Sequence, residues 1–186
     1  MNADLTNTWF VSYGLGEYNP NKFNEIRNSK YNVKPAGGMW TSPKESEYGW
    51  IDFCKSERFR LPDGFTDGFE FQLKPDSKVY IIDTFFDLVR VPYKLKDPMF
   101  SGVGLRFGQN FIDYEEMAKE YDAIWLTADG QWDTRLPEMN GLMDVDGLSI
   151  NLYGWDCESL IILRKECIIN VKNIKEEDLP KFDEED

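Results

Sequence analysis

Short runs of β-branched and aromatic residues recur along this chain without regular strand–helix alternation, and that spacing limits the fold most. "TWFVSY" (Thr8–Tyr13), "FEFQLK" (Phe69–Lys74), "KVYIID" (Lys78–Asp83) and "DAIWLT" (Asp122–Thr127) have strand length and strand composition. So do "LSINLY" (Leu148–Tyr153), "ESLIILR" (Glu158–Arg164) and "CIINVK" (Cys167–Lys172). Pro75-Asp76-Ser77 predicts a hairpin turn or a sheet-switching corner. Helix signals are fewer. Asn19-Pro20-Asn21 opens a short helix with Phe23, Ile26 and Tyr31 on one side, and Thr84–Val89 predicts another. Asp113-Tyr114-Glu115-Glu116 reads as a capping box opening a helix to Glu120 or Tyr121. Segments 94–109 and 128–147 read as loops. About eight strands and three or four helices in this order predict an α+β fold rather than a doubly wound parallel sheet.

The stretch "KPAGGMWTSP" (Lys34–Pro43) concentrates turn chemistry around Trp40-Thr41-Ser42. Gly37-Gly38 predicts a turn and Met39-Trp40-Thr41 a short strand. Ser42-Pro43-Lys44-Glu45 then predicts a helix to about Arg58, with Ser42 as N-cap and Pro43 at the first helical position.

At 186 residues the expectation is one domain over residues 1–174, followed by a solvated acidic tail over 175–186. Aromatic residues make up 15% of the chain, which argues for a packed core. The formal charge of −13 argues against general nucleic-acid binding, because phosphates demand a positive face. The sequence holds no histidine, which excludes an intrachain Ser-His-Asp triad, a Cys-His pair and histidine-containing zinc sites. Acid–base work falls to Asp, Glu, Tyr, Lys or Cys. Cys54, Cys157 and Cys167 match no metal or redox spacing and predict free thiols in a reducing compartment. No metal ligand set is expected. "MNADLTNTWF" has no signal-like character, so the expected location is cytoplasmic, away from membranes. Neither GxGxxG nor GxxxxGK[ST] occurs.

Three patches are candidates for chemistry: Ser12-Tyr13-Gly14 at a strand end, Trp40-Thr41-Ser42, and Trp155-Asp156-Cys157-Glu158-Ser159 before a strand. Each also has a purely structural reading. Gly14 ends a strand, Ser42 caps a helix, Trp40 serves the core, and Glu158 is a solvated strand-start carboxylate.

Taken together, these patches resemble the ADP-ribosyltransferase superfamily, whose motifs lie on a first strand (His or Arg), a middle strand (Tyr or Ser-Thr-Ser) and a late strand carrying glutamate. "EYDAIWL" (Glu120–Leu126) followed by "ESLIILRKECI" (Glu158–Ile168) is similar to the "YDGI … E-φ-V-V-F-x-P-x-x-I" pattern of bacterial and phage members. "KPAGGMWTSP" also resembles the "KPxGGLWTSP" of a set of bacterial and phage proteins. The resemblance spans most of residues 8–170 and implies a split, mostly antiparallel sheet. It implies NAD as substrate, cleaved at the nicotinamide–ribose bond, with ADP-ribose passed to an acceptor: protein, nucleic acid or small molecule. Tyr13 and Gly14 would fall at the family's "Y-H-G", with tyrosine replacing histidine. Trp40, Thr41 and Ser42 would fall at Ser-Thr-Ser, and Glu158 would be the catalytic glutamate. The resemblance leaves a toxin, a phage effector and a housekeeping enzyme open, with a protein partner or antitoxin as a further candidate partner.

That chemistry needs no histidine. Leaving nicotinamide is neutral, and a carboxylate beneath the ribose stabilises the oxocarbenium-like state. The competing expectation is a non-enzymatic acidic binding or inhibitor protein, an immunity-type partner of a basic toxin or a nucleic-acid mimic.

Overall fold

The computed structural model describes residue 5 and residues 7–29, 34–59, 64–95, 110–136 and 150–182. Within them lie nine strands and four α-helices: β1 Phe10–Tyr13, β2 Met39–Pro43, α1 Trp50–Ser56, β3 Gly68–Leu73, β4 Val79–Ile82, α2 Phe85–Leu88, β5 Tyr93–Leu95, β6 Asn110–Ile112, α3 Tyr114–Glu120, β7 Ala123–Leu126, α4 Ala128–Arg135, β8 Ser159–Ile162 and β9 Ile168–Asn173. Seven strands form one sheet in the order β4-β7-β8-β2-β1-β3-β9, and β5 pairs with β6 alone. Every pairing in the large sheet is antiparallel except β4 with β7. The fold is α+β with a mostly antiparallel sheet and few helices.

The sheet curls. Phe10 on β1 and Trp125 on β7 are three strands apart in the order, roughly 14 Å across a flat sheet. Their rings nevertheless meet edge to face at 5.9 Å between centroids. Phe10, Phe69, Phe71, Trp125, Leu160 and Ile162 fill the concave side. On the other face Ile82, Ile124, Leu126 and Ile161 pack under Phe85, Leu88, Tyr114 and Met117 from α2 and α3. β7 and β8 are buried on both faces, which is why their sequences are continuous apolar runs rather than alternating ones.

Several sequence expectations change form. Pro75-Asp76-Ser77 is a sheet-switching corner: β3 pairs with β1 and β9, whereas β4 joins the opposite edge beside β7. The helix expected from Ser42 starts later. Ser42 and Pro43 pair with Val11 and Phe10, so they belong to β2, and α1 begins at Trp50 with Gly49 as N-cap. Asp52 Oδ2 accepts from Gly49 N at 2.9 Å. Asn19-Pro20-Asn21 opens one 3-10 turn, Pro20–Lys22, with Asn19 Oδ1 accepting from Asn21 N. Tyr31 lies outside the described residues. Tyr93–Leu95, at the start of the expected 94–109 loop, forms β5.

The loop expected at 128–147 begins as a helix, and residues 137–149 lie outside the description. Thr127 caps α4 by accepting from Gly130 N at 3.0 Å. Gly130 hides this helix from a sequence reading, yet packing demands it: a Cβ there would stand 2.0 Å from Ile82 O. The strand expected over Leu148–Tyr153 reduces, where described, to a single parallel bridge between Asn110 and Ile150. In the acidic tail Glu176 and Glu177 are exposed, but Leu179 and Phe182 are buried. Phe182 meets Phe65 edge to face at 5.8 Å. No helix among the described residues is long and apolar enough to cross a membrane.

Candidate functional site

β1 and β2 pair only at Phe10–Pro43 and Val11–Ser42. Beyond that the strands part, and a cleft of about 380 Å³ opens where Ser12 and Tyr13 leave Thr41 and Trp40. Two glycine-dependent turns set its edges. Gly14, at φ 77°, bends β1 away, its amide donating to Asp67 O at 3.2 Å. Gly38, at φ 66°, starts β2 so close to β8 that a Cβ would lie 2.8 Å from Ile162 O. The glycines of "KPAGG" are therefore architecture for the cleft mouth.

Tyr13, Gly14, Trp40, Thr41 and Ser42 all line this cleft, together with Trp50 and Trp155. Trp155 is fully buried and meets Trp40 edge to face at 4.6 Å. Tyr13 packs on Phe65 at 5.1 Å, so the Phe182–Phe65 contact of the tail backs this wall. Burial, and to a smaller degree Glu70, raise the Tyr13 phenol above its ordinary value, so it faces the cleft as a neutral hydroxyl.

The serine and threonine hydroxyls on the lining are committed to the sheet. Ser12 Oγ donates to Trp40 O at 3.4 Å, Thr41 Oγ1 to Leu160 O at 3.0 Å and Ser159 Oγ to Cys157 O at 2.9 Å. Ser42 Oγ donates to Glu158 O at 3.0 Å and accepts from Trp50 N at 3.2 Å. One hydroxyl thus ties β2, the start of β8 and the first turn of α1 together. Since a carbonyl cannot donate, these four hydroxyls are left only lone pairs for a ligand. Burial raises the Cys157 thiol, which argues against a thiolate nucleophile there.

Glu158 sits apart from the other candidates. Along a strand successive side chains face opposite ways, and here Cys157 and Ser159 line the cleft while Glu158 lines a second cavity of about 530 Å³ with Tyr48, Gln131, Trp132 and Arg135. It is 8% exposed. Its Oε1 accepts from Trp125 Nε1 at 3.0 Å and its Oε2 from Ser46 Oγ at 2.6 Å. Burial raises its carboxyl above the ordinary value, opposed by those two hydrogen bonds and aided by the charges of Glu47 and Asp129. It is not the solvated carboxylate of the structural reading.

Sequence reading missed Lys34 and Asp156 as partners. Lys34 Nζ reaches Asp156 Oδ2 at 3.1 Å and lies 5.5 Å from the Trp40 ring centroid. No local pattern joins residues so far apart in sequence. α4 supports this wall: Leu152 N donates to Thr134 O and Gln131 Nε2 to Trp155 O. The three cysteines are buried and unbridged, and the described residues contain no cluster of His, Cys, Asp or Glu suited to a metal ion. Comparison with protein-family models, with curated proteins and with solved structures finds no match to this chain.

Proposed function

We propose that the chain is an ADP-ribosyltransferase-like protein that takes NAD in the cleft between β1 and β2 and passes ADP-ribose to an acceptor. One observation carries this reading. Tyr13, Gly14, Trp40, Thr41 and Ser42, drawn from two strands, line a single aromatic cleft at the point where those strands part. Strands β1, β2 and β8, which bear the three resembling motifs, are also consecutive neighbours. Indole and phenol walls suit a nicotinamide or adenine ring, and a few polar groups fix its orientation.

In the reaction the bond from ribose C1′ to the nicotinamide nitrogen breaks, its electron pair leaves with neutral nicotinamide, and a bond from C1′ to the acceptor forms as the acceptor loses a proton. Glu158 is the candidate carboxylate for the oxocarbenium-like state. To act on a sugar in this cleft its side chain must leave Trp125 and Ser46 and turn from the second cavity to the cleft side of the β8 start. The test combines calorimetric titration with NAD and release of nicotinamide from NAD. Wild type is expected to bind and to release nicotinamide. Trp40→Ala is expected to lose about tenfold in affinity, the scale of one lost ring contact, and Glu158→Gln to abolish release. Equal release by Glu158→Gln removes that residue from the mechanism, and absence of NAD binding overturns the reading.

A second reading, a non-enzymatic acidic binding or inhibitor protein, is favoured by the closed hydrogen bonding of Glu158 away from the cleft and by the charge of −13. Under it, wild type yields no nicotinamide and acts through its acidic surface on a basic partner.

A further inference from the structure

Lys34 and Asp156 are the charged side chains on the cleft lining, and they face each other as a half-buried ion pair, 35% and 27% exposed. The rest of the wall is aromatic or aliphatic, apart from the Tyr13 phenol, the Cys157 thiol and four serine and threonine hydroxyls whose protons already go to backbone carbonyls. The serine and threonine hydroxyls suit a ligand's N–H and O–H groups, and among the lining residues the positive charge for an anion is that of Lys34. A carboxylate- or phosphate-bearing ligand must also enter a protein of net charge −13. The ammonium of Lys34 donates to Asp156 Oδ2 at 3.1 Å and lies 5.5 Å from the Trp40 ring centroid, within reach of a substituent on a ring held against that indole.

We propose that Lys34 is the phosphate-binding residue of the cleft and that Asp156 is its resident counter-ion, released when a nucleotide's phosphate arrives. This rests on the nucleotide reading above and adds what selects among nucleotides. Asp156 holds Lys34 over Trp40 and competes with the ligand for it. The pair thus favours ligands with a phosphate one ribose away from the stacked ring and disfavours neutral nucleosides. A charge-assisted contact of this kind corresponds to about tenfold in affinity.

The experiment is calorimetric titration of two matched pairs, AMP with adenosine and nicotinamide mononucleotide with nicotinamide riboside, against wild type, Lys34→Met and Asp156→Asn. In wild type the phosphate-bearing member of a binding pair is expected to bind about tenfold tighter, with the difference shrinking as salt rises. Lys34→Met is expected to erase the difference. Asp156→Asn is expected to widen it, because the competing carboxylate is gone, and Lys34→Arg to preserve it. Equal binding of nucleotide and nucleoside by wild type, or an unchanged difference in Lys34→Met, overturns the assignment while leaving the nucleotide reading standing. If no member of either pair binds, both fall. Circular dichroism of each variant separates loss of binding from loss of fold.

Discussion

Replacing Glu158 by alanine and by glutamine distinguishes what the side chain does for the fold. Glu158 accepts from the Trp125 indole, itself 8% exposed, and from Ser46. Alanine removes both acceptors and leaves the indole N–H without a partner in the interior. Stranding a buried donor costs about 1–3 kcal/mol. Part of this is offset because a carboxylate held in a desolvating site disappears as well. The expected net loss is about 2 kcal/mol, or roughly 4–8 °C in Tm for a chain of this size. Glutamine keeps the shape: its Oε1 can accept from Trp125, and its Nε2 can donate to Ser46, whose hydroxyl then accepts. Glu158→Gln is therefore expected to stay within about 1 kcal/mol of wild type.

The two proteins should also differ in pH dependence. Burial raises the Glu158 carboxyl, so the folded chain holds that proton at pH values where the unfolded chain has released it. Stability linked to this group is thus present at low pH. It is lost as pH rises from about 4.3, the unperturbed glutamate value, through the raised folded value. Glutamine has no such term, so wild type should gain on Glu158→Gln as pH falls through that window. Urea unfolding of the three proteins at pH 5 and pH 7 reads both effects. A loss below about 0.5 kcal/mol for alanine, or glutamine as damaging as alanine, refutes the view that hydrogen bonding at Glu158 supports the β7–β8 junction.

Two further perturbations test the frame of the cleft. Gly130→Ala should destabilise by about 1–3 kcal/mol, since the clash of a Cβ with Ile82 O outweighs the roughly 1 kcal/mol that alanine gains in a helix; an increase in Tm contradicts the packing described for α4. Phe182→Ala should cost about 3 kcal/mol, at the lower end for a buried ring because its cluster is a small one, and should loosen the Phe65–Tyr13 wall; an unchanged urea midpoint means that the tail does not dock in solution.

Local chemistry made much of this legible. The apolar runs at Ala123–Leu126 and Ser159–Ile162 announce strands buried on both sides, and Asp113 caps α3 as the capping pattern requires, accepting from Glu116 N at 3.1 Å. The start of α1 is not legible locally, because Ser42-Pro43-Lys44-Glu45 carries a capping pattern that sheet pairing overrides: Ser42 has cross-strand partners, and its hydroxyl serves Glu158 O as well as α1. α4 is hidden from the sequence because Gly130 lowers helix propensity, and only the approach to Ile82 explains it.

By itself, the amino-acid sequence determined that this chain is a mixed α+β protein without histidine chemistry, with glycine turns leading into a Trp-Thr-Ser strand. Which residues face one another was decided in three dimensions. The early parting of β1 from β2 makes the cleft, curling of the sheet brings Phe10 to Trp125, and the parity of side chains at the start of β8 turns Cys157 and Ser159 inward and Glu158 away. A strand's composition is written locally. Its neighbours, the place where pairing stops and the side on which each residue falls depend on contacts between segments more than a hundred residues apart, as Lys34 with Asp156 shows.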